Sequence, residues 1–191
     1  MIHPDFENAH DVVRKIITLM GDDPDRDGLK ETPTRVLRSF GELFSGYRFR
    51  PEEVFKIFQE QADEMVVITD IEFYSTCEHH LVPFYGKGHV AYIPYAGKVI
   101  GASKLPRLLE GFSRRLQIQE RICRQVTDAL MSLKHGLKPR GAACVLEAKH
   151  LCMCSRGVGK QNAVMRTSSL EGVFKDDPAT RAEFYHAIKS L

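Results

Sequence analysis

The apolar spacing of this chain switches between helical and strand periods in a definite order, and that order constrains the fold more than any single residue. Helical spacing comes first. Phe6, Val12, Val13, Ile16, Ile17 and Met20 form one stripe, which Gly21-Asp22-Asp23-Pro24 ends. Thr32-Pro33 predicts the start of a second helix, with Thr32 as N-cap, Pro33 in the first turn, and Val36, Leu37, Phe40, Leu43 and Phe44 on its apolar side. Ser45-Gly46 closes it. Strand patterns follow. Residues 65–73 are β-branched and apolar, and 87–94 alternate, with His89, Ala91 and Ile93 on one face and Val90 and Tyr92 on the other. Helical spacing returns at 104–112 and at 117–134, the latter carrying Ile118, Ile122, Val126, Ala129, Leu130 and Leu133. Strands return at 142–150 and 165–170, and Asp177-Pro178 opens a last helix to residue 189. Two strand pairs flanking a helix pair predict an α+β fold, a four-stranded antiparallel sheet with two helices packed on one face, preceded by N-terminal helices. Such a sheet keeps two free edges, where another subunit can pair. The 191 residues form one structural unit, with 1–60 as an N-terminal helical region and 61–191 as the sheet-bearing domain with its C-terminal helix.

Composition narrows the partners. With 27 Lys+Arg against 25 Asp+Glu the net charge is only +2, so charge gives no ground for a nucleic-acid partner. No apolar run of about 18 residues exists, so no membrane partner is expected. Met1-Ile2-His3-Pro4-Asp5 lacks a basic patch followed by an apolar stretch, and a cytoplasmic protein is expected. An odd set of five cysteines without a secretory signal argues against a disulfide framework. Cys123 and Cys144 sit inside apolar patterns and read as buried small hydrophobes.

The other cysteines fall in clusters that carry chemistry. In Ser75-Thr76-Cys77-Glu78-His79-His80, Cys77 and His80 have C-x2-H spacing, suited to two ligands on one zinc ion. In His150-Leu151-Cys152-Met153-Cys154-Ser155-Arg156-Gly157, a continuing strand turns His150, Cys152 and Cys154 to one side. One of these cysteines completes a Cys2His set that leaves a fourth position for water, the catalytic pattern. Both together would close the site as a structural, non-enzymatic zinc module. A third cluster, Ile100-Gly101-Ala102-Ser103-Lys104-Leu105-Pro106-Arg107, offers backbone N–H groups, a hydroxyl and two cations at a helix start, which suits phosphate. Arg114-Arg115, Lys138 and Arg140 read as solvated charges. A fourth cluster, Gln117-Ile118-Gln119-Glu120-Arg121, opens the long helix, where an acidic residue complements the helix dipole.

These four clusters in this order, together with Val90-Ala91-Tyr92-Ile93-Pro94, Gly172-Val173-Phe174, Glu31-Thr32-Pro33 with Arg35, and Phe44-Ser45-Gly46, resemble the GTP cyclohydrolase I family of the folate pathway. The resemblance runs from about Asp5 to the C-terminus. It implies the tunnelling fold, a homodecamer of two pentameric rings, active sites between subunits, and residues 61–191 as the catalytic domain. It implies hydrolysis and rearrangement of GTP to 7,8-dihydroneopterin triphosphate and formate, with Zn2+ held by Cys77, His80 and Cys152. His79 and His150 are then the acid–base residues. Gln119 and Glu120 read the purine, and Arg35, Ser103, Lys104, Arg107 and Arg156 hold the triphosphate. Cys154 stands where members commonly carry Met or another non-ligand. The chemistry accounts for these residue types: zinc generates a nucleophile from water near neutral pH, and histidine gives and takes protons in the same range. A chain with a net charge of only +2 must gather its cations locally to hold a triphosphate.

Overall fold

The computed structural model describes residue 6 and residues 9–189; the Met1–Asp5 reading lies outside them. Helices α1 (His10–Leu19) and α2 (Thr32–Leu43) pack through Val13, Ile17 and Leu37, with Phe6, Leu29 and Val36 against them. Only half of the predicted α1 stripe is covered, since Val12, Ile16 and Met20 stay exposed. Thr32 is the first helical residue of α2 rather than its cap; Glu31 takes the cap position without a side-chain bond, so the helix starts one residue early.

Strands β1 (Ile57–Gln59), β2 (Val66–Cys77), β3 (Pro83–Ile93) and β4 (Lys98–Ile100) follow, then α3 (Lys104–Ser113), β5 (Leu116–Gln117), α4 (Gln119–Met131) and β6 (Gly141–His150). The chain continues with a single turn α5 (Leu151–Cys154), β7 (Met165–Gly172), α6 (Val173–Asp176) and α7 (Pro178–Ala187). The main sheet runs β5-β2-β3-β6-β7. Its β2, β3, β6 and β7 are the four antiparallel strands the sequence predicts, and the two-residue β5 adds a short parallel edge beside Cys77. Gln117 therefore belongs to β5, and the long helix begins two residues later than its periodicity suggests. Short β1 pairs with β4 in a separate ribbon.

The alternation in β3 divides the core as expected. Val90 and Tyr92 face α3 and α4, in a cluster with Leu105, Leu108, Ile122 and Leu146. Ala91 and Ile93 face the other way, where Phe174 and Phe184 cover one part of the sheet. Asp177 caps α7, its carboxylate accepting from the Thr180 N–H at 2.9 Å. Cys123 and Cys144 are fully buried. Arg115, read as a solvated charge, is partly buried: its Nε donates to the Gly46 carbonyl at 2.8 Å, and burial lowers its pKa. Among the described residues, the outer edge of β7 and, apart from Thr76 and Cys77, the edge of β2 away from β3 have no strand partner.

One irregularity interrupts the β2–β3 ladder. The register shifts between Ile68 and Ile71, where Asp70 takes a left-handed φ of 54°. The Asp70 N–H donates to Nδ1 of buried His89 at 3.3 Å, and Lys87 donates to the Asp70 carboxylate at 2.6 Å. Burial lowers the His89 pKa from 6.5, against the pull of Asp70 and Glu147. The unfolded chain therefore takes up this proton first as pH falls, and the folded state loses stability from about pH 6.5 downward until His89 titrates in the fold. His89→Gln keeps an acceptor for the bulge but removes the titration. Urea midpoints measured between roughly pH 8 and 5 should fall less steeply in this variant than in the parent; equal slopes would show that His89 does not contribute.

Candidate active site

Two chain segments end side by side. The first is β2, whose last residue is Cys77. Beyond it the Cys77 carbonyl accepts from the N–H groups of His80 at 3.3 Å and Leu81 at 2.9 Å, and the Cys77 N–H donates to Val82 O at 2.9 Å. Leu81 takes a left-handed φ of 55° to complete the turn. A helix-like turn puts side chains three apart on one side, so Cys77 Sγ and His80 Nδ1 lie 3.6 Å apart.

The second segment is β6. It stops at His150, and the chain coils into α5 instead of continuing extended. At about 100° per residue, a helical turn sends Cys152 and Cys154 to nearly opposite sides. The strand expectation that grouped His150, Cys152 and Cys154 on one face therefore fails at Leu151. Cys152 meets Cys77 and His80, and the three ligand atoms lie within 4.8 Å of one another. Cys154 Sγ lies 3.9 Å from the Gln161 carbonyl instead. Burial and the adjacent Cys77 sulfur push the Cys152 thiol up, while Arg156 pulls it down. Two thiolates and an imidazole are a donor set that zinc accepts at bond lengths of about 2.0–2.3 Å, with a fourth position left open. The residues therefore fit zinc.

Around this trio the fold adds fixed partners. Arg121 clamps Glu78 through two bonds, Nη1 to Oε2 at 2.5 Å and Nη2 to Oε1 at 3.2 Å, tying the ligand turn to α4. Arg121 holds the Glu78 carboxyl below its usual range. Neither residue receives a role from the sequence, because a contact 43 residues apart has no local pattern. His79 is exposed, with Nδ1 3.9 Å from Cys77 Sγ and Nε2 3.9 Å from the Glu78 carboxylate. His150 stacks flat on Phe84, centroids 4.5 Å apart and 5° between planes, and its Nε2 lies 2.8 Å from Gln119 Oε1. Burial lowers the His150 pKa, and the charge of Glu120, in the first turn of α4, raises it.

The expected phosphate residues separate into groups. Arg156 follows α5, and its charge lowers the Cys152 thiol pKa. Ser103 caps α3, and Lys104 and Arg107 line a cleft of about 440 Å³ with Arg48, Arg50 and Arg114. The helix start offers fewer open N–H groups than its sequence suggests. Lys104 and Leu105 donate to the carbonyls of Gly101 and Ala102, and Pro106 has no N–H. Arg35 is exposed on α2. The ligand turn adjoins the C-terminal end of α3, where Thr76 N–H donates to Arg115 O at 3.4 Å. Lys104 begins that helix, ~13 Å away along its axis at ~1.5 Å per residue.

An antiparallel sheet backed by two helices, with a Cys-His-Cys group that could hold a metal at one end beside a half-buried histidine, defines a candidate hydrolase centre on an α+β scaffold. Residues 9–189 match the family model for GTP cyclohydrolase I. The GTP cyclohydrolase 1 of Thermobifida fusca is 54% identical over 182 residues, covering 94% of this chain and 85% of that protein. The GTP cyclohydrolase 1 of Pelotomaculum thermopropionicum is 50% identical over 186 residues, covering 97% of each. That of Chlorobium chlorochromatii is 49% identical over 185 residues, covering 96% of this chain and 81% of that one. The chain belongs to the GTP cyclohydrolase I family, is an enzyme of that family, and has its tunnelling fold.

The split between Cys152 and Cys154 gives a direct test of the ligand set. Cys152→Ala should abolish zinc uptake, because it removes one of three converging donors. Cys154→Met should leave zinc content unchanged, because its sulfur faces Gln161. Metal analysis of the two purified variants decides the matter, and equal zinc loss in both would refute the three-ligand site.

Proposed function

We propose that this enzyme catalyses the zinc-dependent hydrolysis and rearrangement of GTP to 7,8-dihydroneopterin triphosphate and formate, the first step of tetrahydrofolate and pterin biosynthesis. The observation that carries this reading is the meeting of Cys77, His80 and Cys152, the last of them two residues beyond His150, in a chain of this family. When bound, zinc supplies Lewis acidity and draws the pKa of water from its bulk value to near neutrality.

The side chains supply the rest. Guanine presents two adjacent donors, its ring N1–H and its 2-amino group, and the exposed Glu120 carboxylate can accept from both. Adenine lacks that pair. His150 gives a proton to the purine nitrogen as carbon 8 gains oxygen. His79, on the open side of the ligand turn, handles the protons of ribose opening and ring closure. Arg156 holds the triphosphate, with Ser103, Lys104, Arg107 and Arg35.

A homodecamer of two pentameric rings accounts for the separation of these groups. Within one chain Lys104 and the ligand turn lie at opposite ends of α3. A neighbouring copy can bring its own α3 start to the metal end, which completes the site between subunits. The unpartnered edges of β7 and β2 and the exposed Val12, Ile16 and Met20 of α1 support such assembly.

Incubated with GTP, the purified enzyme should release formate and yield a pterin that fluoresces after oxidation. Glu120→Ala should lower kcat/KM for GTP by about 10³-fold, because a polar pocket built for paired donors discriminates strongly. Zinc content should not change. Normal GTP turnover in that variant, with zinc retained, would exclude Glu120 as the guanine reader.

A further inference from the structure

Gln119 stands next to Glu120 in sequence but in a different environment. Its side chain is fully buried. Nε2 lies 3.0 Å from the Leu146 carbonyl and 3.1 Å from the Met165 carbonyl, and Oε1 lies 2.8 Å from His150 Nε2. Carbonyl oxygens only accept, so the amide nitrogen must face them and the amide oxygen must face the imidazole. A flipped amide would set its oxygen against two carbonyl oxygens and leave both carbonyls without its donors. The orientation is therefore decided by the surroundings.

An amide oxygen beside Nε2 requires a hydrogen on that nitrogen. Neutral His150 then carries its proton on Nε2 and its lone pair on Nδ1. The ring cannot swing away without leaving the Phe84 face, on which it lies parallel at 4.5 Å. The two carbonyls that hold Gln119 belong to β6 and β7, so the amide is anchored to the sheet.

We infer that Gln119 is a positioning residue, which fixes the tautomer and orientation of His150 and leaves Nδ1 as the nitrogen that meets substrate, rather than a contact to the purine. The inference rests on the proposed acid–base role of His150. It replaces the purine-reading role that the family resemblance implies for Gln119. All of the side-chain groups that such reading would use are engaged within the protein. In this arrangement Nε2–H stays bonded to Gln119 and Nδ1 is the nitrogen left to exchange a proton: His150 gives a proton to the purine nitrogen only as the imidazolium, with a hydrogen on both nitrogens, and returns to the neutral Nε2–H form.

The test separates positioning from binding. Gln119→Met keeps the length of the side chain and removes the acceptor. It should lower kcat by about 10²-fold, the scale of losing one oriented acid–base group, with KM for GTP changing by less than about threefold. Equilibrium binding of GTP is then compared between His150→Asn and the Gln119→Met/His150→Asn double variant, both with zinc content measured. Equal affinity supports positioning. Binding weakened about tenfold or more by the added Gln119→Met change assigns Gln119 to the purine and overturns the inference. Unchanged kcat in Gln119→Met overturns it too, provided that His150→Asn is inactive. Full activity in His150→Asn would instead overturn the underlying role of His150. If Gln119→Met does not fold, a crystal structure of the holoenzyme with bound guanine nucleotide decides: the bonds to Leu146, Met165 and His150 persist if Gln119 positions, and the amide turns to the base if it reads the purine.

Discussion

The uninterrupted register of β3 against β6 is the constraint on which the site depends. Ten successive pairs run from Phe84 opposite His150 to Ile93 opposite Gly141. At the same end Thr76 of β2 lies opposite Pro83. The end of β2, which delivers Cys77, and the end of β6, which delivers His150 and then Cys152, are thereby brought together. What enforces the register is apolar. Ala142, Cys144, Leu146 and Ala148 face the helices, while Ala143 and Val145 face the C-terminal phenylalanines. A slip of one residue would exchange the two sets of faces and turn His150 off Phe84. It would also carry Cys152 ~3.3 Å along the strand, out of reach of a shared ion. Packing on both sides of the sheet thus sets the donor geometry before any metal is bound.

Charge is distributed in a way that the small net value conceals. Arg121 is bound to Glu78, Lys87 to Asp70 and Arg166 to Glu147, so these cations hold the turn, the bulge and the β6–β7 pair. Exposed pairs of this kind contribute little to stability one by one. The Glu78–Arg121 pair differs in what it restrains, since Glu78 lies directly between Cys77 and His79 and its bidentate geometry fixes the turn. A further set, Arg48, Arg50, Lys104, Arg107 and Arg114, lines one cleft, and the charge of Arg156 lowers the Cys152 thiol pKa.

The sequence made some of this legible and hid the rest for physical reasons. Four strands, two packed helices and the capped last helix carry periodic or capping signals long enough to read. The two-residue β5 has no period, and β1 and β4, three residues each, are too short to show one. Cys77 and His80 could be paired from spacing, because three residues of a tight turn bring them together whatever the remainder does. Cys152 and Cys154 could not be separated that way, because the answer depends on whether the chain stays extended after His150. The coil at Leu151 separates them. Arg121 and Phe84 were not legible as site residues, since each acts through a partner distant in sequence, Glu78 and His150.

The start of α4 shows how one residue of helical phase divides function. Ile118 is still extended, with φ −114° and ψ 149°, and the helix begins at Gln119. Neighbouring side chains on a helix point about 100° apart. Gln119 turns into the protein, where an uncharged amide can be fully satisfied by two carbonyls and an imidazole. Glu120 turns outward, where a carboxylate keeps its hydration. The reverse assignment would bury a carboxylate with one oxygen against two carbonyl oxygens, a repulsion that the single Nε2–H of His150 at the other oxygen would not relieve. The order Gln-Glu is thus dictated by the phase of the helix. The two polar residues, which look like one recognition pair in the sequence, face different surroundings: Gln119 the buried imidazole of His150, Glu120 solvent.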